Sequence, residues 1–243
     1  MSKPTFKRCY KVSDKVIQPS KMLGFGDNKA VFRGGCVRRI IFVIVCCAST
    51  NASALSFEQD IVSAAHERTN HAVRYDGAYM AIDYPWGDVP KEIGVCTDVV
   101  IRSYRSLGVD LQQLVHEDMK ANFSLYPSTR IWGLKRPDKN IDHRRIPNLQ
   151  AFFERHGQKL PVTLNAKDYR PGHLVTWMLP GNLPHIGIVS ERMNPATGNP
   201  MIVHNIGRGP ELQDMLFNYK ITGHYQYVPE KYNRASPEPE ALR

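Results

Sequence analysis

The sequence predicts an α+β protein, with helices first and a small antiparallel sheet after them. Two observations carry this. Between Ser56 and Gly157 the apolar residues recur at helical spacing and are bounded by caps. Between His173 and Val228 they fall instead into short β-rich runs separated by turns. No internal repeat interrupts that order.

Ser56-Phe-Glu-Gln59 is a capping box and opens a helix reaching about Thr69. Tyr75-Asp76-Gly77 and Tyr84-Pro85-Trp86-Gly87-Asp88 are turn-rich and aromatic, so they read as an ordered loop presenting side chains. Cys96, Val99, Val100, Ser103, Tyr104 and Leu107 share one face of a second helix, which Gly108 stops. A third runs over Leu111–Met119. Residues 122–147 are polar, with Pro127, Pro137 and Pro147, and read as a long surface excursion. Residues 148–156 form a helix closed by Gly157. Strands follow at His173–Trp177, His185–Ser190, Met201–His204 and His224–Val228, the middle two joined as a hairpin by the turn 194–199. Residues 229–243, rich in Pro and Glu, read as a disordered tail.

The net charge of +9 suggests a nucleic-acid partner until it is located. Residues 1–54 hold ten Lys/Arg and two Asp, a charge of +8, which leaves +1 for residues 55–243. A near-neutral body lacks the basic stripe that phosphate binding requires. The leader has the parts of a secretory signal peptide: Arg38-Arg39, an apolar run over Ile40–Ala48, and an Ala52-Ser53-Ala54 cleavage site. The run is too short for a stable membrane span, which needs about 20 apolar residues. A buried strand or interfacial helix is the alternative. Residues 1–32 exceed an ordinary signal peptide and point to a mis-assigned start or an extended basic region. The expected location is the periplasm, and the expected functional domain is 55–228.

Four of the five cysteines, Cys9, Cys36, Cys46 and Cys47, lie in that leader, so the exported domain would keep Cys96 alone. A lone cysteine cannot form an intramolecular disulfide; it is either a small buried hydrophobe or a reactive thiol. Cys96 follows Ile93-Gly94-Val95 at a helix start, where free N–H groups and the helix dipole favour a thiolate and can also hold an oxyanion. Asp98 in the same turn opposes this by raising the thiol pKa. A histidine is needed as base. His185 stands at a strand mouth behind Pro180-Gly-Asn-Leu-Pro184, and Gly187 on its face leaves room for a neighbouring side chain. His204 and Asn205 point to opposite faces of the next strand, so one of them can orient His185; spacing does not choose. Asp142, His143 and Arg144 in a Pro-bounded loop either bind a substrate carboxylate, form a lid wall, or make a structural salt bridge. No zinc motif, phosphate loop or dinucleotide fingerprint is present, and no cofactor is expected.

Arg74-Tyr-Asp-Gly-Ala-Tyr79, Gly94-Val-Cys-Thr-Asp-Val-Val-Ile-Arg102 and Leu183-Pro-His-Ile-Gly-Ile-Val189 together resemble the exported bacterial family named for domain of unknown function 1287. Asn140-Ile-Asp-His-Arg-Arg145 and Val203-His-Asn-Ile-Gly207 match it as well, and the resemblance covers about 57–228. The resemblance implies kinship with NlpC-type cell-wall peptidases of papain-like fold. It implies Cys96 as nucleophile, His185 as base, His204 as the orienting residue, and Tyr75 and Asp76 as cleft residues. Those peptidases read Asp-Cys-Ser where this chain has Val95-Cys96-Thr97, so their substrate preference does not transfer in detail. The expected activity is cleavage of an amide bond in peptidoglycan stem peptides. The alternatives are a cysteine acyltransferase or protein-directed protease on the same scaffold, or a non-catalytic cell-wall binding module. Oligomeric state is not legible.

Overall fold

A computed structural model describes residues 56–233 of the 243-residue chain. The expectations for the leader, its signal peptide and the last ten residues lie outside the described residues.

The first helix, α1 (Phe57–Arg68), starts as its capping box dictates: the Ser56 hydroxyl accepts from the Gln59 N–H and the Gln59 side chain accepts from the Ser56 N–H. A short parallel pair follows, β1 (Arg74–Tyr75) with β2 (Ile93–Gly94). Helix α2 (Cys96–Ser106) begins immediately after it and ends at Gly108, whose φ of 70° is left-handed backbone that glycine adopts freely. Helix α3 (Leu111–Asn122) is capped by Asp110, which accepts from the Gln112 N–H. Helices α4 (Ser128–Trp132) and α5 (Ile146–His156) complete the helical half.

The second half is a six-stranded sheet made of β3 (Gln158–Lys159), β4 (Leu174–Leu179), β5 (Leu183–Met193), β6 (Pro200–His204), β7 (Glu211–Gln213) and β8 (Lys220–Gln226). Its order is β3-β8-β4-β5-β6-β7, and every pairing is antiparallel. The β5–β6 hairpin closes through the expected turn, where the Asn194 N–H donates to the Asn199 carbonyl. The α+β class is therefore observed.

Alternation along the strands gives the sheet two apolar faces. Leu174, Ile186, Ile188, Val203 and Tyr225 pack with α1, α2, α3 and α5 around Tyr104, Phe152 and Phe153. Val175, Trp177, Val189 and Ile202 pack on the other face with Tyr169, Met215 and Leu216. The Trp177 indole N–H donates to the Leu216 carbonyl, so that large ring is buried with its polar atom satisfied.

Three local expectations are corrected. The polar run 122–147 is a surface excursion only in part: residues 129–136 are largely exposed, but its two ends are not. Ser128 and residues Asp142, His143 and Arg144 are buried, because the Arg144 guanidinium docks on a carboxylate of α2 and draws the loop inward. Strand β7 was not anticipated; at three residues it is too short to show a period. The tail opens with a helix of four residues, α6 (Glu230–Asn233), where Lys231 donates to the Leu107 and Gly108 carbonyls and secures the end of α2.

Candidate active site

Cys96 is the first residue of α2 and is 4% exposed. It is the only cysteine among the described residues and is unpaired. The helix start is held by Asp98, whose carboxylate accepts the Val95 N–H at 2.6 Å. A carboxylate at this point of a helix satisfies an orphan donor and suits the dipole. Asp98 is in turn clamped by Arg144, with Nε on Oδ1 and Nη2 on Oδ2, both at 2.9 Å. The Arg144 carbonyl accepts from the Thr97 hydroxyl, and its guanidinium also reaches the Asp76 and Ala78 carbonyls. One ion pair thus fixes three pieces of chain around the thiol.

On the sheet side the thiol meets the backbone of β5. The N–H groups of Ile186, Thr97 and Cys96 itself all favour a thiolate. Ile186 has this N–H available for a topological reason. The β5–β6 register pairs Ile188 with Val203, so β6 ends at His204 opposite Gly187 and leaves residues 185 and 186 without a β6 partner. Burial nevertheless dominates: it pushes the Cys96 thiol up to about 11, and the Asp98 charge adds to the rise.

His185 lies one residue from that contact. Its Nε2 is 3.0 Å from His204 Nδ1, and His204 Nε2 is 3.0 Å from Gln213 Oε1. The imidazoles cross nearly at right angles, at 88°, and Trp177 packs beside His185 with ring centroids 5.9 Å apart. Burial, then the neighbouring His204, holds His185 down to about 3; burial holds His204 down to about 4, with Gln213 opposing. Both rings are neutral at ordinary pH. Gly187 makes this pairing possible, since a Cβ there would come within 2.5 Å of Ile202 Cγ2 and 3.1 Å of His204 Cβ.

The structure therefore brings His185 and His204 together on the Trp177 face of the sheet, and holds Cys96 against the backbone of the next residue, Ile186, whose side chain turns to the helices. Among the described residues no hydrogen bond joins Cys96 to His185 in this resting arrangement. The two neutral groups are compatible with that: a buried thiol at about 11 and an imidazole at about 3 do not exchange a proton unaided. Asn205 takes the role that alternation left it. It turns away from His185, and its side-chain oxygen accepts from the Gly207 and Gly209 N–H groups.

Cys96 opens on a cleft of about 270 Å³ whose walls include Tyr75, Trp132, Arg144, Arg145 and Pro184. The Tyr75 phenol is pushed up to about 12, first by burial and then by the adjoining Cys96. Arg145 stacks over the Trp132 ring at 4.3 Å while bonding Asp142. The remaining candidates from the sequence stand elsewhere. Asp76 pairs with Arg74 and caps its own turn through the Ala78 N–H. Asp142 accepts from Asp138, Arg145 and Asn148, and His143 is buried and held down to about 3. Neither of these two lines the cleft, which the loop meets through Trp132, Ile141, Arg144 and Arg145; His185 and His204 do not line it either.

Sequence reasoning missed Gln213, Trp132 and Arg145. Gln213 lies on a strand too short to show a period, so nothing in the sequence pattern marked it. No pattern announced the Trp132–Arg145 wall, which depends on how the buried loop folds back.

Comparison with known proteins matches residues 62–227 to a family described as Domain of unknown function (DUF1287). A curated relative, the uncharacterized protein YijF of Escherichia coli (strain K12), is 50% identical over 167 residues, covering 69% of this chain and 80% of the relative. Among the described residues no helix is long and apolar enough to cross a membrane.

Proposed function

This chain belongs to the DUF1287 family, and from that starting point we propose that it is an exported, papain-like cysteine hydrolase that cleaves amide bonds. The observation that carries the reading is the juxtaposition at β5. A lone thiol at a helix start opens on a cleft and meets the backbone of Ile186, while the preceding residue, His185, is hydrogen-bonded to His204. The order of a cysteine on a helix followed by histidines on two adjacent strands supports the papain-like reading and kinship with NlpC-type peptidases.

In the proposed reaction the substrate carbonyl enters the cleft beside Cys96. His185 Nδ1, which takes no hydrogen bond in the resting site, accepts the thiol proton as sulfur attacks the carbonyl carbon. The carbonyl π electrons move to oxygen, where N–H groups at the α2 start stabilise them. The tetrahedral intermediate collapses, the C–N bond breaks, and the His185 proton goes to the departing amine. A water then gives one proton to His185 and attacks the thioester; the C–S bond breaks, the acid product leaves, and the His185 proton returns to the Cys96 sulfur.

The resting pKa values decide how the first step runs. Burial pushes the thiol up and the imidazole down, so moving a proton from Cys96 to His185 in the resting site is strongly uphill. A standing thiolate–imidazolium pair is therefore not the ground state. Proton transfer accompanies attack, and hydrogen bonds in such sites often tighten only when substrate is bound.

The proposed substrate is the peptide part of peptidoglycan, and the proposed location is the periplasm. The signal-peptide pattern over residues 38–54 and the family resemblance support both. No cofactor enters the scheme. The raised thiol pKa also favours a second reading, in which the domain binds cell wall without cutting it and Cys96 is packing. An acyltransferase or protein-directed protease would keep the same site.

Digestion of purified sacculi with the wild type and Cys96→Ala, read by mass spectrometry, tests the proposal. New amine and carboxyl termini in stem peptides with the wild type alone are expected. Identical product profiles overturn the peptidoglycan hydrolase.

A further inference from the structure

The hydrogen bonds behind His185 form a directed chain, and their direction is set at its far end. Gln213 Oε1 can only accept, so His204 Nε2, 3.0 Å away, must carry a hydrogen. His204 is fully buried, and that burial keeps it neutral, so its Nδ1 is then a bare lone pair. That lone pair faces His185 Nε2 at 3.0 Å, which must therefore donate. His185 is neutral too, so its own second nitrogen, Nδ1, is left without a hydrogen.

We infer that Gln213 is a positioning residue that fixes the tautomers of His204 and His185, and so keeps the His185 Nδ1 lone pair bare to receive a proton. Were the chain to run the other way, His185 would carry hydrogen on Nδ1 and could not act as a base from that edge. The role as base rests on the hydrolase reading; the tautomer assignment does not.

The β-sheet explains why Gln213 does this and its neighbour does not. The β6–β7 register sets Glu211 opposite His204 and Gln213 opposite Ile202. Glu211 and Gln213 share the face of His204, since they are two residues apart. Long side chains reach diagonal partners across strands, and Gln213 makes that reach. The Glu211 carboxylate makes no hydrogen bond to His204, and its Oε1 is buried without a partner. The titratable groups facing His204 from the neighbouring strands are thus His185 on β5 and Glu211 on β7. The hydrogen bond comes from an uncharged amide. This matters, because a carboxylate in the same place would favour a protonated His204. Its Nδ1–H would then point at His185 and reverse the relay.

The test uses the full chain carrying 15N-labelled histidine. Ring nitrogen shifts report which nitrogen holds the hydrogen, with or without turnover. The wild type is expected to show His185 and His204 both protonated on Nε2 alone. Gln213→Met is expected to lose that fixed pattern, with each ring passing to a mixture of tautomers. Gln213→Glu, which can also only accept when ionised, is expected to keep the pattern at alkaline pH. On falling pH, His204 should become doubly protonated about one unit or more above its wild-type transition. In a hydrolysis assay Gln213→Met is expected to lower kcat at least about tenfold with KM little changed. Gln213→Glu is expected to keep kcat at high pH and to move the acidic limb upward. A His185 protonated on Nδ1 in the wild type, or unchanged ring shifts in Gln213→Met, overturns the inference. If the shifts behave as expected but neither protein cuts sacculi, the tautomer assignment stands and the hydrolase reading falls.

Discussion

Asp98 and Arg144 meet through two parallel hydrogen bonds of 2.9 Å, and both side chains are only 3% exposed. The same Asp98 carboxylate accepts the Val95 N–H just before Cys96. The pair links the α2 start, the loop after Tyr75 and the buried turn at Asp142–Arg144.

Breaking this pair from one side leaves a buried charge without a partner, which typically costs about 3–5 kcal/mol. Arg144→Ala is therefore expected to lose stability on that order, measured by urea unfolding. Arg144→Lys keeps the charge but not the fork and should recover only part of it. Replacing both residues by apolar ones should cost less than Arg144→Ala alone. Equal midpoints for wild type and Arg144→Ala contradict this account of the pair.

Gly187 tests the histidine pairing sterically. An added Cβ would sit 2.5 Å from Ile202 Cγ2 and 3.0 Å from the Val203 carbonyl, so β6 has to move. Gly187→Ala is expected to destabilise by about 1–3 kcal/mol, the usual cost of overpacking. It should also disturb the His185–His204 hydrogen bond, visible as altered imidazole shifts. A variant with native stability and unchanged shifts rules out the close approach.

The Cys96 thiol is predominantly neutral at physiological pH because burial holds it up to about 11. Its alkylation by iodoacetamide, followed on the Cys96 peptide by mass spectrometry, is expected to be slow at pH 7. The rate should climb through the alkaline range instead of levelling off near the free value of about 8.5. A plateau reached below pH 7 indicates a standing thiolate and removes the concerted proton transfer proposed above.

Acid stability follows from the buried imidazoles. His143 and His185 are held down to about 3, and His173 and His204 to about 4, with burial as the leading cause each time. In the unfolded chain each binds a proton near 6.5, so below that pH the unfolded state holds more protons than the folded one. The stability these histidines contribute is fully present above about 6.5 and is lost as pH falls toward 3–4. Urea midpoints should drop steadily between pH 7 and pH 4.5. Midpoints that stay level over that range contradict neutral burial of these rings.

Much of this was legible in the sequence because it is local. The Ser56–Gln59 capping box, the Gly108 stop and the 194–199 turn are decided by residues a few positions apart. Strand alternation likewise put His204 and Asn205 on opposite faces, but could not say which face held His185's partner. That needed the β5–β6 register, which set His204 beside Gly187. The long polar run 122–147 misled for a related reason. Its composition is that of a loop, and its middle is largely exposed; what buries its end at Asp142–Arg144 is an arginine finding a carboxylate 46 residues earlier.

The sequence by itself determined the α+β class, the thiol at a helix start and the histidines on neighbouring strands, because period, caps and residue chemistry are written along the chain. Tertiary structure alone decided that His204 pairs with His185, that Gln213 stands behind them, and that Asp98 is matched by Arg144. Each of these is a contact between segments distant in sequence, selected by strand register and by the cost of burying a polar group without its partner.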